Sequence, residues 1–340
     1  MHFLPSTDTI PSYPVQSNRL RSNEACWCGS GKKLKRCHGD HARVRRPAVR
    51  PGSVSPMRSV PTAIVRPEYV ERGGWPVPST PQSHEGEALD RLRHACRVAA
   101  VVRDTVGRAI RPGVTTDELD ALAHDTYVAW GAYPSTLGYK GYTKSICTSV
   151  NEVVCHGIPD DRPLMPGDIV NVDVTAYIDG MHGDTSATFG VGLLDEATAA
   201  LVSTTLDALH HGINALGPDR DLRVVAEAIQ PLAFVRGFGV VRDYGGHGIG
   251  TVFHSSLHVN HSIERARAVP LEPGMTFTVE PMLTAGTANH HRWPDGWTEV
   301  TDDLLPSAQF EHTVVITADG VETLTLGEST AAGSDSDDSA

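Results

Sequence analysis

No run in this 340-residue chain approaches the ~18 consecutive apolar residues that a membrane-spanning helix needs, so an integral membrane protein is excluded. The opening MHFLPSTDTIPSYPV lacks both the basic and the apolar segment of an export signal. Six cysteines are too few for a disulfide scaffold of this size, and a reducing, cytoplasmic setting fits them best. A phosphate-binding loop is also missing. In Tyr244-Gly245-Gly246-His247-Gly248-Ile249-Gly250 the glycine spacing is wrong and no Lys-Ser/Thr follows. What the chain does have is material for a large core, with 40% hydrophobic against 21% charged residues, which excludes general disorder.

The net charge of -12 hides an asymmetry. Residues 1–60 carry 11 Lys and Arg against 3 acids, a net of +8, while the remaining 280 carry 18 against 38, a net of -20. A basic arm on an acidic body suits an anionic partner of the arm, although a merely solvated extension would have the same composition. Residues 1–20 read as a disordered lead, 21–41 as a small module, and 42–82, with eight prolines, as an extended spacer. A catalytic-sized body occupies 83–326, and the acidic tail 327–340 reads as disordered.

Within the body, Leu89, Leu92, Cys96, Ala99, Val102, Val106 and Ile110 recur at helical spacing until Pro112-Gly113. Thr115-Thr116-Asp117-Glu118 is a capping box that opens a second helix ending near Gly131. A similar helix pair is predicted at 195–216 and 221–236, and each pair leads into β-rich sequence, a weak internal duplication. Strands are predicted at 168–178, 274–283 and 309–317. The fold class is therefore α+β, with helices on one side of a largely antiparallel sheet.

Asp179-Gly180 between two alternating runs marks a two-residue hairpin turn, which would set Asp184 opposite Thr175. Asp173 then shares a face with Asp184 as its diagonal neighbour, ~7–8 Å away at the backbone. Two such carboxylates repel unless cations lie between them, and the apolar residues around them argue against simple solvation. Glu280 and Glu311 are further lone acids on apolar strands. These four carry -4, which two divalent cations would balance, with neutral His247 completing the set. Oxygen and imidazole donors suit Mn, Fe(II), Co or Zn, and the hypothesis from the residues is a two-metal hydrolase. His254, His258 and His261 lack the Glu and the helical stripe of an H-E-x-x-H site.

SVNEVVCHGIP (149–159), NVDVTAYIDGMHGDTS (171–186), GGHGIGTVFH (245–254), TVEPM (278–282) and SAQFEHT (307–313) together resemble type I methionine aminopeptidase. The resemblance implies the pita-bread fold with two pseudo-symmetric halves, and release of the initiator methionine from nascent chains when the second residue is small. It matches Asp173, Asp184, His247, Glu280 and Glu311 to metal ligands, with Glu280 also the proton shuttle. It matches His254 to the histidine that contacts the scissile peptide and His156 to one that assists placement. Tyr139, Tyr142, Cys147, Phe253 and Trp297 resemble the methionine pocket, though plain core packing would use the same residue types. Two departures stand out. Ser255-Ser256-Leu257 replaces the usual Glu-Glu-Pro, and Thr136 stands where a cysteine is often found. The same fold also serves Xaa-Pro peptidases and, as a further alternative, non-catalytic binding modules.

Cys26, Cys28, Cys37 and His38 fall within 13 residues around Gly29-Ser30-Gly31 and suit a Cys3His structural zinc site. A module this short folds on its metal or not at all. It resembles the SEC-C motif, and its Lys32, Lys33, Lys35 and Arg36 suit docking on ribosomal RNA or an acidic ribosomal protein. The expected partners are thus nascent N-termini and the ribosome, with no membrane and a monomeric chain.

Overall fold

A computed structural model describes residues 48–327 together with Lys33. The calls on residues 1–32, 34–47 and 328–340 lie outside the described residues, the candidate ligands Cys26, Cys28, Cys37 and His38 among them. Among the described residues, no helix is long and apolar enough to cross a membrane.

The central element is the hairpin Ile169–Ile178/Met181–Gly190, turned by Asp179 and Gly180 at φ 54° and 76°. Positive φ at both central residues is the twist-matched geometry for this turn, and it fixes the register. Thr175 lies opposite Asp184, and Asp173 lies opposite Ser186, as the turn predicts. The seven-stranded sheet grows outward from this hairpin. Cys147–Val150 and Tyr133–Pro134 pair with its first strand, while Glu311–Ile316 pairs with its second and carries Thr276–Val279 and Val321–Thr323.

Helices α2 (Gly86–Ala109) and α3 (Thr116–Ala129) cover one half, α4 (Glu196–Asn214) and α5 (Arg223–Val235) the other; a one-turn helix, α1, spans Glu68–Glu71. The capping box of α3 forms as read, with Thr115 accepting from the Glu118 N–H and Glu118 from the Thr115 N–H. Two cores result. Val98, Val102 and Leu119 pack with Val170, Val172 and Val174, while Leu201, Leu209 and Ile229 pack with Phe277, Val279 and Val314. Phe189 touches both. Gly183 lets α2 lie directly on the hairpin, since a Cβ there would stand 2.3 Å from the Cys96 nitrogen.

Two expectations need correction. The predicted strand 274–283 is broken into Thr276–Val279 and Met282–Thr284, because Pro281 has no N–H to continue a ladder. The predicted strand 309–317 begins at Glu311, since Ser307–Gln309 belongs to a different sheet and pairs with Met282–Thr284. Glu280 and Glu311 therefore sit where the chain passes between sheets, and this turns their carboxylates inward. The described part of the proline-rich run, residues 48–82, is interrupted by α1 and lies against the body, with Val60 and Tyr69 buried.

Candidate active site

Four segments deliver the polar cluster. The hairpin brings Asp173 and Asp184, the strand pair Gly246–His247/His258–Val259 brings His247, and the two sheet crossings bring Glu280 and Glu311. Gly246 allows the close approach of His247 to the Thr278 strand, since a Cβ on it would stand 2.0 Å from the Thr278 carbonyl oxygen. Donor atoms of Asp184, His247 and Glu311 all lie within 4.8 Å of one another, and all three residues are buried. His247 Nε2 lies 3.6 Å from Asp184 Oδ2 and 3.7 Å from Glu280 Oε1. Asp173 borders this group, pairs in register with Cys147 and Ser186, and feels the charges of Asp184 and Glu280.

Burial and mutual repulsion dominate the electrostatics. Burial first, and the Asp184 charge second, raise Asp173 and Glu311 well above the usual carboxylate range and push Glu280 up to about 8. Glu280 and Glu311 perturb each other as neighbouring buried acids. Thr278 Oγ1 donates to Glu280 Oε1 at 2.8 Å and Gln309 Nε2 donates to its Oε2 at 3.3 Å. The Glu280 N–H goes to His261 Nε2 at 3.1 Å, so that histidine is held as a neutral acceptor. Packed carboxylates with one imidazole and no thiolate fit hard or borderline divalent cations, because only bound positive charge relieves the repulsion without protonation.

His254 opens to the cleft with its ring 3.9 Å from that of His247, and the protein around it together with the His247 charge holds its pKa well below the ordinary value. His156, at φ 57°, meets the edges of Tyr244 and Trp297 at 5.2 and 6.1 Å. The five residues expected to line the pocket fall into two joined groups. Tyr139 packs on Phe253 (4.9 Å) and His254 (5.2 Å), while Tyr142 packs on Trp297 (5.1 Å) and hydrogen-bonds Cys147. The Tyr142 N–H donates to the Tyr139 carbonyl and so links the two.

Sequence reasoning passed over His182, which stacks on Phe253 at 5.6 Å and pairs with Ser135 Oγ at 2.8 Å. Strand alternation puts residue 182 on the face of Asp184, so the signal was present. Burial holds His182 and His261 at about 3 and His156 at about 4. These are depressed folded-state values, so each histidine stabilises above its unfolded pKa of about 6.5 and loses that contribution as pH falls toward the folded value. With cations present, the unfolding free energy is expected to fall from pH 6.5 to 5 by on the order of 1 kcal/mol per histidine per pH unit, and the thermal midpoint to fall with it. Scanning fluorimetry across pH 7.5–5 checks this, and a flat profile would contradict it.

The sequence model of metallopeptidase family M24 matches residues 90–318, and that of the SEC-C motif matches residues 23–40. Methionine aminopeptidase 2 of Mycobacterium tuberculosis is 50% identical over 280 residues, spanning 82% of this chain and 98% of the relative. The crystal structure of methionine aminopeptidase from Rickettsia prowazekii superposes with a TM-score of 0.71 at 43% identity, over 73% of this chain and 100% of that one. The prolidase of Pyrococcus furiosus, 20% identical, superposes at 0.59 over 73% and 66% of the two chains and shares the fold. With the pita-bread halves, the inward carboxylates and these relatives together, the chain belongs to metallopeptidase family M24, among its methionine aminopeptidases.

Proposed function

We propose that this chain removes the N-terminal methionine of nascent proteins whose second residue is small, using two divalent cations held by Asp173, Asp184, His247, Glu280 and Glu311. The observation that carries the reading is the buried convergence of Asp184, His247, Glu280 and Glu311, a charge arrangement that is costly without bound cations. When bound, such a pair supplies Lewis-acid polarisation and a water acidic enough to ionise near neutral pH.

The protein's own groups have separable tasks. Glu280, 3.7 Å from His247 and within the proposed ligand group, takes the proton released by the attacking water and hands it to the leaving amine. His254 faces the cleft beside His247 and donates to the peptide carbonyl oxygen as it gains charge. His156, braced by Tyr244 and Trp297, orients the substrate's N-terminal residue. Tyr139, Tyr142, Cys147, Phe253 and Trp297 surround the thioether with apolar faces and a sulfur.

The Cys26, Cys28, Cys37 and His38 set, within the SEC-C match, is proposed to hold a structural zinc and to bring its basic residues to the ribosome. Equal ribosome co-sedimentation with and without residues 1–47 would sink that part.

The decisive assay strips the enzyme with a chelator and restores Mn, Fe(II), Co or Zn singly. Met-Ala-Ser is expected to be cut, while Met-Lys-Ser and an Xaa-Pro peptide stay intact. Turnover of the Xaa-Pro peptide alone would favour the alternative within the fold. Loading the stripped protein at pH 7 is expected to release on the order of one or two protons per chain, because Glu280 and its neighbours hold them until a cation arrives. Calorimetry in two buffers of different ionisation enthalpy reads this number, and buffer-independent heats would count against it.

A further inference from the structure

The proline-rich run sends the ring of Tyr69 in among the aromatic residues around Tyr139. Between Pro67 and Pro76, α1 inserts Tyr69, 1% exposed, into the body, where its hydroxyl donates to the Ser135 carbonyl. The Tyr69 ring meets the edge of Tyr139 at 5.1 Å and lies nearly parallel to His182 at 6.2 Å. Tyr139 in turn stacks on His254 and Phe253, so an unbroken row of rings runs from the strap to the proposed metal ligand His247.

The turn that carries Tyr139 is tightly wound, with the Gly138 N–H donating to the Tyr142 carbonyl at 2.7 Å and the Tyr139 N–H to that of Thr136 at 3.1 Å. Gly138, Lys140 and Gly141 all have positive φ, at 84°, 48° and 89°. The strap supplies an anchor: the Lys140 N–H donates to the Gly74 carbonyl at 2.8 Å, and a Cβ on Gly74 would stand 2.3 Å from the Gly138 carbonyl oxygen. Further along, the strap holds the opposite wall. The Ser79 carbonyl accepts from the Ser256 N–H at 2.8 Å, and Gln82 both donates to and accepts from Thr251. His84 Nδ1 pairs with Thr276 Oγ1 at 2.9 Å. Upstream, Glu152, Asp160 and Asp161 accept from the N–H groups of Val49, Gly52 and Ser53, and Arg58 pairs with Asp117 and Asp120. A segment held this way packs on the body, and it grips the two loops, 138–142 and 251–256, that carry Tyr139, Tyr142 and Phe253.

We propose that residues 67–84 form the outer wall of the pocket for the departing side chain, with Tyr69 the positioning residue that sets where Tyr139 sits. This rests on the methionine-removal reading above. It also gives Ser255-Ser256-Leu257 a role, since the Ser256 backbone is a docking point for the strap.

The test is steady-state kinetics of the Mn-loaded full chain and its variants on Met-Ala-Ser and Leu-Ala-Ser. Tyr69→Ala is expected to raise KM for Met-Ala-Ser about tenfold, with kcat within about threefold, and to lower the Met-over-Leu ratio about fivefold or more. Tyr69→Phe keeps the ring and is expected to recover most of both quantities. Gly74→Ala moves the Tyr139 turn through the backbone and is expected to raise KM in the same sense, which carries the test if Tyr69→Ala does not fold. A general loss of stability would lower the active fraction and hence the apparent kcat equally for both peptides, leaving KM and the ratio in place. Folded, Mn-replete Tyr69→Ala and Gly74→Ala with KM and ratio within about twofold of the parent overturn the proposal. A parent enzyme that cuts no methionine peptide overturns the functional reading itself, before any variant is compared.

Discussion

Glu280→Gln is expected to fold normally and to lose at least ~10^3-fold in kcat/KM on Met-Ala-Ser. The side chain accepts from Thr278 and Gln309 and lies 3.7 Å from His247, so a carboxamide fills the same space. What changes is charge and basicity. The amide neither neutralises a cation nor carries a proton at any working pH, so binding and proton transfer fail together. The same change relieves repulsion in the metal-free protein. Wild-type Glu280 titrates at about 8, so at pH 8.5 the stripped wild type carries an uncompensated buried charge that the variant lacks. The stripped variant is therefore expected to melt no lower than stripped wild type at that pH. Turnover within tenfold of the parent would remove Glu280 from the reaction.

His254→Ala is expected to lower kcat by about 10^2- to 10^3-fold while the metal content stays unchanged. His254 stacks on Tyr139 and packs tilted against His247, and it is not among the residues proposed to hold the cations, so its loss is expected to leave them in place. Its depressed pKa keeps the ring neutral, so one nitrogen carries a proton to donate and the other lacks one. A donor aimed at developing negative charge acts on the transition state more than on the bound peptide, so KM should move little. Metal analysis beside the kinetics separates this role from ligation, because a parallel loss of metal would mark His254 as a ligand.

Much of this arrangement is legible in the sequence because local chemistry and global fold agree there. Asp179-Gly180 dictates the hairpin turn, the turn dictates register, and register puts Asp173 and Asp184 on one face. Thr115 and Glu118 announce α3 in the same local way. The failures have physical causes too. Strand propensity runs through Glu280-Pro281 and Gln309-Phe310, yet the chain changes sheets at both places, and which sheet a strand joins depends on partners far along the chain. Tyr69 was invisible because a proline-rich run looks the same whether it hangs free or is pinned, and its anchors are carboxylates about a hundred residues away, Glu152, Asp160 and Asp161.

The pinned strap also bounds geography. Its grip begins at Val49, whose N–H is held by Glu152, while the SEC-C match ends at residue 40. Nine peptide links from residue 40 to Val49, even fully drawn out, reach no more than about 32 Å. Whatever surface the amino-terminal motif lands on, covalent geometry alone sets this upper limit on how far the anchored strap can lie from it.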